Sequence, residues 1–138
     1  MHIAIIVSQF NKKISDRLLA GAKKALKEAQ IAEKHFRIIE VPGAFEISFA
    51  ASKLAKSKKW NGIIALGCVL KGETDHYRAV CDGVVYGIQK VSIENRIPIM
   101  FGVLMCQTEK QALKRSGTNS QNKGYECVNG LMKLFYNF

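Results

Sequence analysis

Proline occupies only two of 138 positions, and tryptophan occurs once. Such scarcity excludes a proline-rich linker or a polyproline module. Long apolar runs are also missing: none approaches the roughly 20 residues of a membrane-spanning helix, so no membrane association is expected. Four cysteines, Cys68, Cys81, Cys106 and Cys127, stand far apart and form no C-x-x-C pair. Each lies in or beside an apolar run, where a free thiol behaves as a small hydrophobe, so buried reduced thiols are expected rather than disulfides. His2, His35 and His76 are equally scattered, and no metal centre is expected. Met1 leads directly into Ile3–Val7 without a basic region and cleavage site, which points away from a signal peptide and to a cytoplasmic protein.

Acidic residues are few, 11 against 21 lysines and arginines, giving a net charge of +10. The excess is spread as Lys12-Lys13, Lys23-Lys24-Lys27 and Lys53-Lys56-Lys58-Lys59, mostly opposite apolar helix positions. That is the pattern of a solvated surface, and no aromatic-rich basic motif accompanies it, so nucleic acid is not an expected partner.

What is present is a chain that is 48% apolar, without internal repeat or linker, and long enough for one core. We read residues 1–138 as a single domain. Ile3–Val7, Phe36–Val41, Ile63–Leu70 and Ile99–Cys106 read as strands. Between them, helical patterns cover about Ser15–Gln30, Ala44–Lys58 and Thr74–Asn95. Thr108 and Gln111 form a capping box for a short helix ending at Gly117, and a final helix carries Val128, Leu131, Leu134 and Phe135. Gly83 and Gly87 inside the third helix mark close packing, since each costs about 1 kcal/mol relative to alanine. Alternation of strands and helices predicts an α/β fold with a central four-stranded parallel sheet covered on both faces. Ligands of such sheets bind at the carboxyl ends of the strands.

The stretch from Gly67 to Tyr77 combines a strand end, the break at Gly72 and a helix start with Thr74 or Asp75 as N-cap. Free backbone N–H groups at such a junction suit a phosphate or other anion, with His76 at the mouth. The same residues also fit a plain tight turn with a surface histidine. Elsewhere, Arg115 in the last turn before Gly117 suits either an anion or the helix dipole. Lys123 sits near a helix N-terminus, where a cation is disfavoured unless an anion is close. Glu46 near an apolar helix start requires hydroxyl-like partners if buried. Phe10 and Phe45 fit a core as well as a stacking platform.

Five ordered segments carry a family resemblance: Ser8-Gln9-Phe10-Asn11, Val41-Pro42-Gly43-Ala44-Phe45-Glu46-Ile47, Gly67 to Tyr77, Pro98 to Val103, and Arg115-Ser116-Gly117-Thr118 to Asn122-Lys123-Gly124. Together they resemble lumazine synthase, the penultimate enzyme family of riboflavin biosynthesis. The resemblance implies a flavodoxin-like three-layer αβα sandwich assembled into pentamers, or into a larger shell, with active sites at subunit boundaries. Riboflavin synthase is an implied associate. The implied reaction condenses 5-amino-6-(D-ribitylamino)uracil with 3,4-dihydroxy-2-butanone 4-phosphate through an imine, releasing phosphate and water, with no metal or organic cofactor.

By matching position, Phe10 is implied to stack on the pyrimidine, while Ala44, Phe45 and Glu46 frame the ribityl chain. Cys68, Val69 and Leu70 are implied to meet the uracil edge through backbone groups, and Phe101 to enter from the neighbouring subunit. Glu73 and Thr74 are implied to bind phosphate, with Arg115 as counter-charge and Lys123 nearby, and His76 to transfer protons. Departures from the family pattern are Ser48 for proline, Lys71 for arginine, Gln121 for glycine, Glu126 for aspartate, and Asp82-Gly83 for Asn-Glu. Gln121 and Glu126 border the implied phosphate loop. The usual N-terminal extension before the first strand is lacking, which bears on assembly of the larger shell.

Overall fold

Ile3–Ser8 forms strand β1, and all six of its residues are buried. A β-branched run without polar alternation has to be covered on both sides, which places it inside a sheet rather than at its edge. A computed structural model describes residues 1–138 and puts β1 between β2 (Phe36–Val41) and β3 (Gly62–Leu70), with β4 (Ile99–Cys106) beyond β3. The order is β2-β1-β3-β4, and every pairing is parallel.

Side-chain alternation along β1 divides the core in two. Ile3, Ile5 and Val7 face α1 (Lys12–Glu28) and α5 (Lys123–Asn137), packing with Leu18, Leu26, Val128 and Leu131. Ala4 and Ile6 face α2 (Ile47–Lys56) and α3 (His76–Asn95), packing with Ile47, Ala51, Val84 and Ile88. Each fully buried isoleucine contributes about 1.5–3 kcal/mol of apolar transfer energy. A short helix α4 (Glu109–Lys114) follows β4 on the α1 side, where its Ala112 joins the same cluster. The result is the expected flavodoxin-like three-layer αβα sandwich. No helix is long and apolar enough to cross a membrane.

The strands fall where the sequence puts them; several helix ends do not. Helix α1 starts at Lys12 because Asn11 takes a left-handed conformation (φ 60°) and its carbonyl accepts the first turn's N–H groups from Ile14 and Ser15. The segment expected as one helix from Ala44 begins as a 3-10 turn, Ala44–Glu46, and becomes α-helical only at Ile47. Helix α3 starts at His76, with Asp75 at the cap position but no side-chain cap bond. Thr74 instead accepts the His76 N–H through its hydroxyl at 3.3 Å. Helix α4 stops at Lys114, short of Gly117, with Arg115 as its C-cap.

The capping box at Thr108 and Gln111 is present as expected. So is the close packing expected at Gly83 and Gly87. A methyl group on Gly83 would stand 2.8 Å from the Phe45 ring, and one on Gly87 would stand 2.6 Å from the Ser48 Cβ. All four cysteines are free and buried.

Candidate active site

The strand order creates the site. From β1 the chain crosses to β2 on one side, and from β2 it returns to β3 on the other, so the loops after β1 and β3 diverge and leave a crevice at the carboxyl edge. A cleft of about 650 Å³ opens there, lined from the β1 loop, the 42–46 turn, the end of β3 and the first turns of α3. Its walls include nine of the residues singled out from the sequence: Phe10, Ala44, Phe45, Glu46, Cys68, Val69, Leu70, Thr74 and His76.

Each wall has a local cause. The β1 loop is held by backbone bonds from Gln9 and Phe10 to the Val41 and Pro42 carbonyls, at 2.8 and 3.0 Å. This leaves Phe10 72% exposed, a large apolar ring held in water at the mouth of a cleft. Asn11, forced into the left-handed region that asparagine tolerates, sends its amide across the crevice to the Cys68 carbonyl at 2.9 Å. That bond ties the β1 loop to the end of β3.

Phe45 is also well exposed, at 60%, above the Gly83 notch. The exposed Glu46 carboxylate enters no ion pair within the chain. Gly72 has open space where a side chain would stand and no positive φ, so neither packing nor backbone conformation demands glycine there. Asp75 gives α3 no side-chain cap, and with the His76 N–H taken by the Thr74 hydroxyl, the Tyr77 and Arg78 N–H groups are left open to a ligand.

Cys68 contributes a carbonyl rather than a nucleophile. Burial pushes its thiol up to about 12, with Cys106 and Glu109 adding smaller effects in the same direction. Cys106 is also raised by burial, although the nearby Arg115 charge opposes it.

Four expected residues do not line the cleft of their own chain: Glu73, Phe101, Arg115 and Lys123. Phe101 lies half-buried on β4, paired in register with Ala65 and packed on the core of the α2–α3 side. Arg115 and Lys123 converge on Glu126, at 3.4 and 3.6 Å. Lys123 therefore does have an anion beside it at the start of α5, and that anion belongs to its own chain.

Sequence reasoning gave no role to Asn11, to Tyr77 and Val80 on the same wall, or to Asn122. Tyr77 and Val80 follow His76 at one and four positions along α3, and the helical period could have found Val80.

This arrangement sets exposed aromatic rings and the backbone at the end of β3 beside a helix start with open N–H groups and an imidazole. Such a cleft can take a planar ring beside an anion. A family model described as 6,7-dimethyl-8-ribityllumazine synthase matches residues 1–137. A curated 6,7-dimethyl-8-ribityllumazine synthase from Pediococcus pentosaceus is 45% identical over 134 residues, which cover 97% of this chain and 86% of that protein. The chain belongs to the 6,7-dimethyl-8-ribityllumazine synthase family, and it is a transferase of riboflavin biosynthesis.

Proposed function

We propose that residues 1–138 act as one catalytic domain that condenses 5-amino-6-(D-ribitylamino)uracil with 3,4-dihydroxy-2-butanone 4-phosphate. The product is 6,7-dimethyl-8-ribityllumazine, with phosphate and water released. The observation that carries this reading is the convergence of Phe10, Ala44–Glu46, Cys68–Leu70, Thr74 and His76 on one cleft from three separate loops.

In this reading Phe10 stacks on the pyrimidine, and Glu46 accepts ribityl hydroxyls beside Ala44 and Phe45. Backbone groups of Cys68, Val69 and Leu70 meet the uracil edge. Phosphate sits at the Glu73-Thr74 turn before α3, where the open space at Gly72 lets a ligand approach the backbone closely. The 5-amino group adds to the ketone and water leaves as the imine forms. Loss of a proton and of phosphate then gives an enol, which becomes a ketone that the ribitylamino nitrogen attacks to close the ring, with loss of a second water. His76 carries protons in these steps, and no metal or organic cofactor takes part.

The site is completed by a second copy of the chain, which supplies Phe101, Arg115 and Lys123. Support comes from their position off their own cleft and from Phe45, Phe49 and Tyr86, which are 60%, 71% and 67% exposed on the α2–α3 side. A head-to-tail contact of this kind closes into a ring, here a pentamer, from which a larger shell can be built. A cytoplasmic location and association with riboflavin synthase complete the proposal.

Incubation with both substrates, followed by lumazine absorbance, tests the reaction. Formation of the chromophore with stoichiometric phosphate release is expected. Its absence with folded, assembled protein would refute the reading.

A further inference from the structure

Asn122 directly precedes Lys123 in the loop that runs on from Arg115, and the inference rests on the reading that these two cations meet the substrate phosphate. Asn122 is 1% exposed and uses both ends of its amide. Its Nδ2 donates to the Gly117 carbonyl at 2.8 Å and to the Arg17 carbonyl at 3.1 Å. Its Oδ1 accepts the Tyr125 N–H at 3.1 Å and so caps α5. One side chain therefore joins α1, the 117–122 loop and α5.

The surroundings are cut to fit it. A methyl group on Gly21 would collide with the Asn122 amide, while one on Gly124 would collide first with the Leu18 carbonyl of α1 and only then approach Oδ1, at 3.2 Å. The loop is closed at its base by the Lys123 N–H, which donates to the Arg115 carbonyl at 2.8 Å. On the Arg115 side, Ser116 is 2% exposed, donates to the Ala112 carbonyl at 2.7 Å and accepts from Arg17 Nε at 3.1 Å. The neighbours of both cations are thus fixed, Arg115 by Ser116 and Lys123 by Asn122, while the charged side chains themselves stay accessible.

We propose that Asn122 is a positioning residue that holds Arg115 and Lys123 at the mutual spacing at which both engage one phosphate group. Loss of its amide removes the donor to the Gly117 carbonyl and the acceptor of the Tyr125 N–H, a cost the loop relieves by opening. Opening moves Lys123 relative to Arg115, and a contact that depends on charge and direction weakens.

The test uses the full chain with Asn122→Ala, Asn122→Ser and Gly21→Ala, the last displacing the amide without altering it. Inhibition by inorganic phosphate and KM for each substrate are measured, with Arg115→Ala as control. Phosphate inhibition and the KM of the phosphate substrate should each weaken by about tenfold, while KM for the ribitylaminouracil stays within about twofold. Serine keeps a cap for α5 but not both carbonyl contacts, so it should show the same split at smaller loss of stability. Lower thermal stability with unchanged phosphate inhibition, or equal weakening of both substrates, would overturn the positioning role. If Arg115→Ala itself leaves phosphate inhibition unchanged, the phosphate assignment fails and the inference falls with it.

Discussion

The Phe45 ring lies across Gly83 so closely that a methyl group on the glycine would stand 2.8 Å from Cε1. One turn further along α3, Gly87 leaves the same kind of gap beneath Ser48, whose hydroxyl is buried without a hydrogen-bond partner. The two notches behave differently because of what fills them. Over Gly83 lies the far end of an exposed side chain, which can swing away. Over Gly87 lies a Cβ fixed to the α2 backbone, which cannot.

Gly83→Ala should therefore leave stability nearly unchanged or slightly improved, since alanine favours a helix by about 1 kcal/mol. It should raise KM for the ribitylaminouracil by displacing Phe45. Gly87→Ala should lower stability by about 1–3 kcal/mol through overpacking, less that same helix gain. Urea unfolding beside steady-state kinetics checks both. Equal behaviour of the two variants would contradict the distinction.

His76→Ala should lower kcat by up to about 100-fold or somewhat more, the usual worth of one positioned acid–base group. His76 is exposed in the first turn of α3 and takes no part in the core, so the variant should fold. An unchanged kcat in folded protein would leave His76 a surface residue.

The buried thiols set an alkaline limit on stability. Cys68 is raised from 9.0 to about 12 and Cys127 to about 11, both chiefly by burial. The unfolded chain loses these protons above about pH 9, whereas the folded chain keeps them to higher pH. Between about pH 9 and pH 12 the unfolded state therefore binds fewer protons, and stability falls as pH rises. Thermal unfolding across this range should show the decline, and Cys68→Ala with Cys127→Ala should flatten its slope. A slope that those substitutions leave untouched would assign the decline to other groups.

The four strands were legible because each is an uninterrupted apolar run bounded by turn residues, and Ile3–Ser8 is the clearest case. Helix starts were less legible because two depend on backbone geometry that no side-chain pattern announces. One is the left-handed Asn11, and the other is the 3-10 turn at Ala44–Glu46. The cleft residues that follow strand ends were accessible through the parallel-sheet rule. Asn122 was not, because an asparagine in a polar loop reads as solvent-exposed until its contacts with Gly117, Arg17 and Tyr125 are known. Neither could the sequence pattern reveal that Glu126 lies within 3.4 Å of Arg115 and 3.6 Å of Lys123.

The most direct measurement is activity after mixing two impaired chains, because the account requires His76 and Arg115 of one working site to come from different copies. His76→Ala and Arg115→Ala chains are unfolded together, reassembled in equal amounts, and checked for mixed rings by native mass spectrometry. Random mixing in a closed head-to-tail ring pairs an intact His76 with an intact Arg115 at about a quarter of the interfaces. Lumazine formation approaching that fraction of the unsubstituted rate, well above either parent, is expected. Activity that stays at the parental average in demonstrated mixed rings would contradict the shared site.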